Sequence, residues 1–180
     1  MIRDEFYESL KERTPKEHRI VKRIPWRETC FGCRSKANGG LFVRTYILED
    51  GIIAGIAETD TQHDGYPHVT HGGVLSTYFD EVLWQQTKRE DPKVNTMTIE
   101  MTVRYWHPVP ENVEVKIIAY PAEIDGRHYR VHGGIILSDG TVAATASVHY
   151  LTIPRDGMIS KNEYARIMHD WTDDRESIYF

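Results

Sequence analysis

Residues 71–90 read HGGVLSTYFDEVLWQQTKRE, and this stretch decides the fold. Its apolar residues recur at the i, i+3, i+4 and i+7 positions of an α-helix. Ser76 and Thr77 are small enough to be buried as well, so most of the circumference can be covered. The pattern predicts a nearly fully buried helix over residues 72–89 that stops by Asp91-Pro92. Its apolar face contains Val74, Leu75, Tyr78, Phe79, Val82, Leu83 and Gln86.

The segments on either side of this helix alternate apolar and polar residues, which is typical of β-strands. We expect strands over residues 41–49 and 52–59, and four more between residues 97 and 150. Asp50-Gly51, Asp125-Gly126 and Asp139-Gly140 supply tight turns between successive strands. The sequence therefore predicts an α+β fold, in which a curved and mainly antiparallel sheet wraps around one central helix.

Short helical extensions are predicted at both ends of the chain. Residues 3–13 can form one helix, and the capping box Ser160–Glu163 begins another whose apolar stripe runs to Trp171. We expect residues 1–25 to be an N-terminal extension and residues 26–153 to be the main domain. Residues 154–180 are expected to form a C-terminal helix followed by a loose, polar tail.

The composition excludes several classes of protein. A length of 180 residues suits one domain with short extensions, and 40% hydrophobic residues are enough for a core. The net charge of -5 argues against a nucleic-acid partner. No apolar run approaches the ~18 residues of a membrane span, and the first residues do not resemble a secretory signal. We expect a cytoplasmic protein that binds neither nucleic acid nor membranes.

Cys30 and Cys33 form a CxxC pair in a segment rich in loop-forming residues. Two thiolates do not supply the four ligands of a structural zinc site. A redox CxxC pair normally follows a strand and opens a helix, which this segment does not do. We therefore expect reduced, packed thiols, no metal and no cofactor. His63, His68 and His71 could bind zinc only as a minor alternative, because no companion ligand is in register.

The start of the central helix combines two chemical features. Gly72 and Gly73 leave backbone N–H groups exposed at the positive end of the helix dipole, which can stabilise an oxyanion. Asp80 places a carboxylate between the apolar residues Phe79 and Val82. A charged group in an apolar stretch indicates a specific role. Gly72 and Asp80 are about 12 Å apart along one helix, so both can act on one carbonyl only from different subunits. This offset predicts a dimer with shared sites.

Three motifs together resemble the hot-dog-fold thioesterases, in particular the PaaI-like acyl-CoA thioesterase group. They are HDGYPHVTHGGVLSTYFDEV at residues 63–82, CFGCRSKANGGL at residues 30–41 and TIEMTVRYWHPVP at residues 98–110. The family pattern has an acidic residue nine positions after the histidine of HGG, and Asp80 follows His71 by nine. The resemblance covers about residues 26–153.

The resemblance implies hydrolysis of an acyl- or aryl-coenzyme A in a homodimer or a dimer of dimers. The thioester carbonyl would sit on the Gly72 N–H, and Asp80 of the other subunit would act as nucleophile or general base. Thr98 would orient water or the carboxylate, and the substrate-binding residues would be His71, Gly73, Thr98 and His63. A non-catalytic acyl-CoA-binding protein on the same fold is the alternative.

Several of these residues also have ordinary structural interpretations. His71 can brace the turn before the helix instead of acting as a base. Glu81 is rotated by ~100° from Asp80 around the helix, so we expect it to form an ion pair elsewhere. A second His-Gly-Gly at residues 132–134 lies in a strand pattern, which indicates a bulge or a close backbone approach. Thr98 is expected in a polar row with Glu100, Thr102 and Arg104.

Overall fold

The computed structural model describes residues 4–154 and 166–180. The elements are, in chain order, α1 (Glu5–Lys11), β1 (Glu17–Ile24), β2 (Trp26–Arg27), β3 (Arg44–Leu48), β4 (Ile53–Glu58), β5 (Asp64–Tyr66), β6 (Val69–Thr70), α2 (Gly72–Glu90), β7 (Thr96–Tyr105), β8 (Glu114–Ala119), β9 (Glu123–Asp125), β10 (His128–Ile136), β11 (Val142–Thr152), β12 (Met168–His169) and β13 (Ser177–Tyr179).

One large antiparallel sheet organises the fold. Its strand order is β13-β1-β3-β4-β8-β10-β11-β7, and β9 pairs beside β10. β2 pairs with β12, and β5 pairs with β6, as two small separate ribbons. The predicted α+β class, with an antiparallel sheet and a central helix, is confirmed. The tight turns at Gly51, Gly126 and Gly140 have the positive φ expected of Asp-Gly turns.

Helix α2 packs across one face of the sheet, against β4, β7, β8, β10 and β11. Val82 and Leu83 of this helix are completely buried. Two glycines allow the helix to approach the sheet this closely. A Cβ on Gly55 would lie 2.3 Å from the Val82 side chain, and one on Gly133 would lie 2.6 Å from Leu83. The close backbone approach predicted for the second His-Gly-Gly is therefore confirmed.

Helix α1 covers the opposite face of the sheet. Successive residues of a strand point to opposite faces, so Gly134 faces away from α2. A Cβ there would lie 2.6 Å from Leu10 of α1, which is buried. Tyr7 of the same helix stacks on Trp106 with ring centroids 4.1 Å apart. The predicted N-terminal helix is confirmed, and its apolar side has a definite place on the sheet.

The prediction of a loose C-terminal tail is wrong. β13 pairs with β1 at the edge of the large sheet, with Ile178 opposite His18. Ile178 is 1% exposed, and the ring of Phe180 stacks on His18 at 3.9 Å. Three residues are too few for a visible alternation, and β1 itself is rich in charged residues. Neither strand therefore produces a strong signal in the sequence.

The predicted C-terminal helix is only partly testable, because residues 155–165 lie outside the described ranges. Of the described residues that it covers, Arg166 and Ile167 are helical as predicted, whereas Met168 and His169 pair with Arg27 and Trp26 as a short strand. Trp171 nevertheless docks on the sheet, since its indole N–H donates to the Ile24 carbonyl at 2.9 Å. No helix in the described ranges is long and apolar enough to cross a membrane.

The alternation predicted for β7 changes face partway along the strand. Thr98 lies opposite Tyr150 of β11 and Glu100 lies opposite His149, so Ile99 is the extra residue of a β-bulge. Thr98 therefore faces α2, and the expected polar row with Glu100 is wrong. Beyond the bulge Met101 and Val103 pack on the core instead. The bulge allows both ends of β7 to direct side chains at α2.

Ile178→Ala tests the packing of the C-terminal strand. We expect it to lower the free energy of unfolding by about 2–4 kcal/mol, the usual cost of truncating a buried isoleucine. The measurement is urea denaturation of the full-length protein at a fixed concentration. Tyr179→Ala is the matched control, because Tyr179 is 59% exposed, and it should change stability by less than about 0.5 kcal/mol. Equal effects of both variants would contradict the docked strand.

Candidate functional site at the start and middle of helix α2

The first turn of α2 is capped by its own histidine. His71 is the N-cap residue, with extended backbone, and its Nδ1 accepts a hydrogen bond from the Gly73 N–H at 2.8 Å. The bracing interpretation of His71 is therefore confirmed. The same contact occupies the Gly73 N–H, which the sequence placed among the substrate-binding groups. The Gly72 N–H lies at the first helical position, where no intrahelical acceptor exists.

Tyr105 at the end of β7 covers this turn. Its hydroxyl donates to the Gly72 carbonyl at 2.9 Å and contacts the Ser76 hydroxyl at 2.7 Å. A Cβ on Gly72 would lie 3.2 Å from the Tyr105 ring, so a glycine suits this position. Ser76 also donates to the Gly72 carbonyl, at 3.1 Å. These contacts direct the serine toward the helix start, and it forms no catalytic triad with His71 and Asp80.

Asp80 lies two turns further along α2 and is held by Thr98 of β7. The Thr98 hydroxyl donates to one Asp80 carboxylate oxygen at 2.8 Å. Both residues are exposed in the single chain, so the other carboxylate oxygen can meet a ligand. They line a cleft of about 310 Å³ together with Arg27, Glu81, Trp84, Thr96 and Met97. The structure thus brings together Asp80 and Thr98 of the sequence-predicted site.

Glu81 points away from that carboxylate into a partly buried cluster. Its side chain is 10% exposed and pairs with Arg27, whose Nη2 lies 3.2 Å from Oε1. The expected ion pair of Glu81 is confirmed. Burial raises the pKa of Glu81 to about 8, and the Arg27 guanidinium opposes that shift. Glu81 was not among the predicted site residues, because its partners lie far away in sequence.

Cys30 and Cys33 complete the cluster around Glu81. The Cys30 thiol lies 2.8 Å from Oε2 of Glu81, and Cys33 is buried beside it. The neighbouring Cys33 side chain is the main cause that lowers the pKa of Cys30, and Cys30 in turn raises the pKa of Cys33. Both cysteines are free thiols, as expected.

The three histidines of the 63–71 segment do not converge. The His63 carbonyl accepts from the His71 N–H at 2.8 Å, which ties the loop to the helix start. His68 has a positive φ of 63° and its ring contacts Glu111 at 3.0 Å, which raises the pKa of this histidine. Within the described ranges, only Cys30, Cys33 and Glu81 bring three ligand atoms close enough for a metal ion.

The two chemical features of α2 remain apart within one chain. Gly72 contacts Tyr105 and Asp80 contacts Thr98, so α2 and β7 run antiparallel along this contact. Eight residues separate Gly72 from Asp80, which is about 12 Å along the helix axis. A carbonyl within hydrogen-bond distance of the Gly72 N–H is therefore out of reach of Asp80 in the same chain.

Comparison with known proteins agrees with the fold and with the resemblance of the sequence. Residues 68–144, from the loop before α2 into β11, match the thioesterase superfamily. Among curated protein sequences, none is significantly similar to the chain. The predicted resemblance to hot-dog thioesterases is confirmed at the level of the superfamily.

Solved structures, two of them of thioesterase proteins, share the architecture. A thioesterase superfamily protein aligns with a TM-score of 0.58 and 25% identity, over 63% of this chain and 55% of that protein. A thioesterase from Haemophilus influenzae aligns with a TM-score of 0.59 and 14% identity, over 67% and 85%. A Bacillus halodurans protein solved with CoA aligns with a TM-score of 0.52 and 17% identity, over 56% and 66%. The chain thus spans little more than half of the first of these relatives.

His71→Ala tests the capping contact at the start of α2. We expect it to lower the free energy of unfolding by about 1 kcal/mol, because the Gly73 N–H loses its acceptor. His71→Asn should retain most of the stability, since an asparagine side chain can accept the same bond. Urea denaturation at one protein concentration compares the three proteins. A fully stable alanine variant would contradict the capping role.

Proposed function

We propose that this protein is an acyl-CoA thioesterase that hydrolyses the thioester of an acyl- or aryl-coenzyme A. The observation that carries the proposal is the exposed Asp80 carboxylate, held by the Thr98 hydroxyl in an open cleft. A carboxylate fixed in this way can attack a carbonyl or remove a proton from water. The Gly72 N–H, at the positive end of α2, is the proposed oxyanion donor.

The relatives support the choice of substrate. The Bacillus halodurans protein was solved with CoA, and a Streptococcus mutans protein of similar fold was solved with acetyl CoA. Both have less than 25% identity to this chain, so they share the fold, and the CoA thioester is our proposal here. In this scheme Thr98 orients Asp80, and His71 and His63 position the loop at the oxyanion end.

The active site is proposed to form between two protomers. β7 is the last strand of the sheet and pairs on one side with β11. Apolar side chains of this edge strand are exposed in the single chain, with Met97 at 56% and Ile99 at 53%. An exposed strand edge with apolar side chains favours pairing with another chain. A second copy of β7 is the simplest partner for it.

Antiparallel pairing of two β7 strands brings the separated groups together. A twofold axis near Met101 and Thr102 would place Thr98 opposite Tyr105 of the partner subunit. Because Thr98 holds Asp80 and Tyr105 covers Gly72, the same axis brings Asp80 near Gly72 of the partner subunit. Two identical sites result, as twofold symmetry requires. The homodimer and its pairing into tetramers remain part of the proposal.

Asp80→Asn tests the carboxylate. The variant keeps the size of the side chain but removes its charge, so it should fold and associate normally. We expect kcat to fall by about 10²-fold or more with little change in KM, since the carboxylate acts mainly in the transition state. The measurement is thiol release over a panel of acyl-CoAs, with melting temperature recorded in parallel.

Asp174→Asn is the matched control for this experiment. Asp174 is exposed near β13, at the opposite edge of the sheet from β7, and its variant should retain full turnover. If Asp80→Asn keeps its kcat, the proposed catalytic role is wrong. If the wild-type protein binds acyl-CoAs but releases no thiol from any of them, the chain is the non-catalytic binding protein instead.

Gly72→Pro tests the oxyanion donor. Proline lacks the N–H but is well tolerated at the first position of a helix, and the extended backbone of His71 suits the residue before a proline. We expect a loss of about 10²-fold or more in kcat. Gly72→Ala is the matched control, because it adds a Cβ beside Tyr105 but keeps the N–H. The proline variant should be far less active than the alanine variant.

Mixing the two inactive variants tests the shared site. In a dimer of one Asp80→Asn chain and one Gly72→Pro chain, one site has both native groups and the other has neither. After subunit exchange of equal amounts, we expect about a quarter of the wild-type activity, because half of the dimers are mixed. If both groups of a site come from one chain, mixing restores nothing, and the two-chain proposal is wrong.

A further inference from the structure

The proposed thioesterase mechanism does not use the cluster formed by Cys30, Cys33 and Glu81. One thiol or carboxylate atom from each residue lies within 4.8 Å of the others. The two cysteines come from the loop after β2, and Glu81 comes from the middle of α2. The carboxylate and the Cys30 sulfur are 2.8 Å apart, although both groups become anions when they ionise. Two anions at this distance repel each other, so the contact is stable only when a proton or a cation lies between the two groups.

The charges of the cluster suit a divalent cation. Two thiolates and one carboxylate carry three negative charges, and the Arg27 guanidinium beside Glu81 neutralises one of them. A divalent ion neutralises the other two, so the ion and all four side chains together are uncharged. Buried charges are tolerated when they are balanced in this way or coordinate a metal. Sulfur and carboxylate ligands are those that Zn²⁺ commonly takes.

Backbone donors already point at both sulfur atoms. The Cys33 N–H lies 3.4 Å from Sγ of Cys30, and the Arg27 N–H lies 3.2 Å from Sγ of Cys33. Such outer hydrogen bonds stabilise thiolates and orient metal ligands. In the metal-free cluster the Cys33 thiol faces the Arg27 carbonyl at 3.6 Å and the Cys30 thiol faces Glu81. A metal ion would displace these protons.

The distances also fit tetrahedral coordination after small side-chain rotations. With a Zn–S bond of about 2.3 Å and a Zn–O bond of about 2.0 Å, ligand atoms are separated by roughly 3.5–3.8 Å. The separations in the cluster run from 2.8 Å to at most 4.8 Å, which brackets that range. Glu81 and Arg27 line the cleft beside Asp80, so the carboxylate side of the cluster borders the cleft.

We propose that Cys30, Cys33 and Glu81 bind one divalent transition-metal ion, for which Zn²⁺ is the best match, with water as the fourth ligand. The ion would fasten the loop after β2 to α2, one residue from Asp80. The CxxC pair by itself predicted no metal site, because it offers only two ligands. The third ligand is 51 residues from Cys30 in sequence and becomes a neighbour only in the fold.

Metal titration of the reduced, chelator-treated full-length protein tests this site. We expect about one Zn²⁺ per chain by equilibrium dialysis, proton release on binding, and a rise in melting temperature with Zn²⁺ concentration. Co²⁺ should produce a thiolate charge-transfer band that Zn²⁺ abolishes. Zn²⁺ should also protect both thiols of the wild-type protein from alkylation, a measurement that needs no variant.

Three variants identify the ligands. Cys30→Ser and Cys33→Ser should each lose the cobalt band, and Glu81→Gln should weaken Zn²⁺ binding by at least about tenfold while the band persists. Glu90→Gln, on the same helix but outside the cluster, is the matched control and should bind as the wild type does. Failure of the wild-type protein to bind either ion, or binding unaffected by the cysteine variants, would overturn the proposal. If the protein binds no metal and mild oxidation joins Cys30 and Cys33 in a disulfide, the two cysteines are a redox pair and the metal site is wrong.

Discussion

The packing of α2 into the sheet is the constraint on which the rest of the structure depends. A nineteen-residue helix is buried on most of its circumference, and its side chains Phe79, Val82 and Leu83 are almost completely inaccessible to solvent. Such close packing needs backbone without side chains on the sheet, at Gly55 and Gly133. Replacing either glycine would push the helix outward or force Val82 or Leu83 to move.

This packing also decides where chemistry can occur on the helix. Most positions of α2 are occupied by core contacts, and two places on it, the first turn and the position two turns later, present polar groups to β7. Gly72 and Asp80 occupy these two places, and the bulge at Ile99 lets β7 contact both of them. The helix keeps the two groups about 12 Å apart, so within one chain they cannot act on the same carbonyl.

The sequence predicted those parts of the fold that have a strong local signal. The periodicity of residues 72–89 identified α2, and three Asp-Gly pairs identified the turns of the sheet, because both signals arise from backbone geometry over a few residues. β1 and β13 were missed for the opposite reason. Their alternation is short or interrupted by charges, and Ile178 becomes a core residue only through pairing with a strand at the other end of the chain.

The neighbours Asp80 and Glu81 show the same limit at the candidate site. The apolar context of Asp80 and the resemblance to the thioesterase pattern drew attention to this carboxylate, and the helical rotation of ~100° correctly separated it from Glu81. The rotation alone does not predict the contacts of Glu81, because its partners Arg27 and Cys30 come from a segment that is distant in sequence. Burial raises the pKa of Glu81 to about 8, while Asp80 is exposed in the single chain and hydrogen-bonded to a hydroxyl. Two adjacent carboxyl groups on one turn of helix thus have opposite environments. The exposed one suits reaction with a ligand, and the buried one suits holding the loop against the helix.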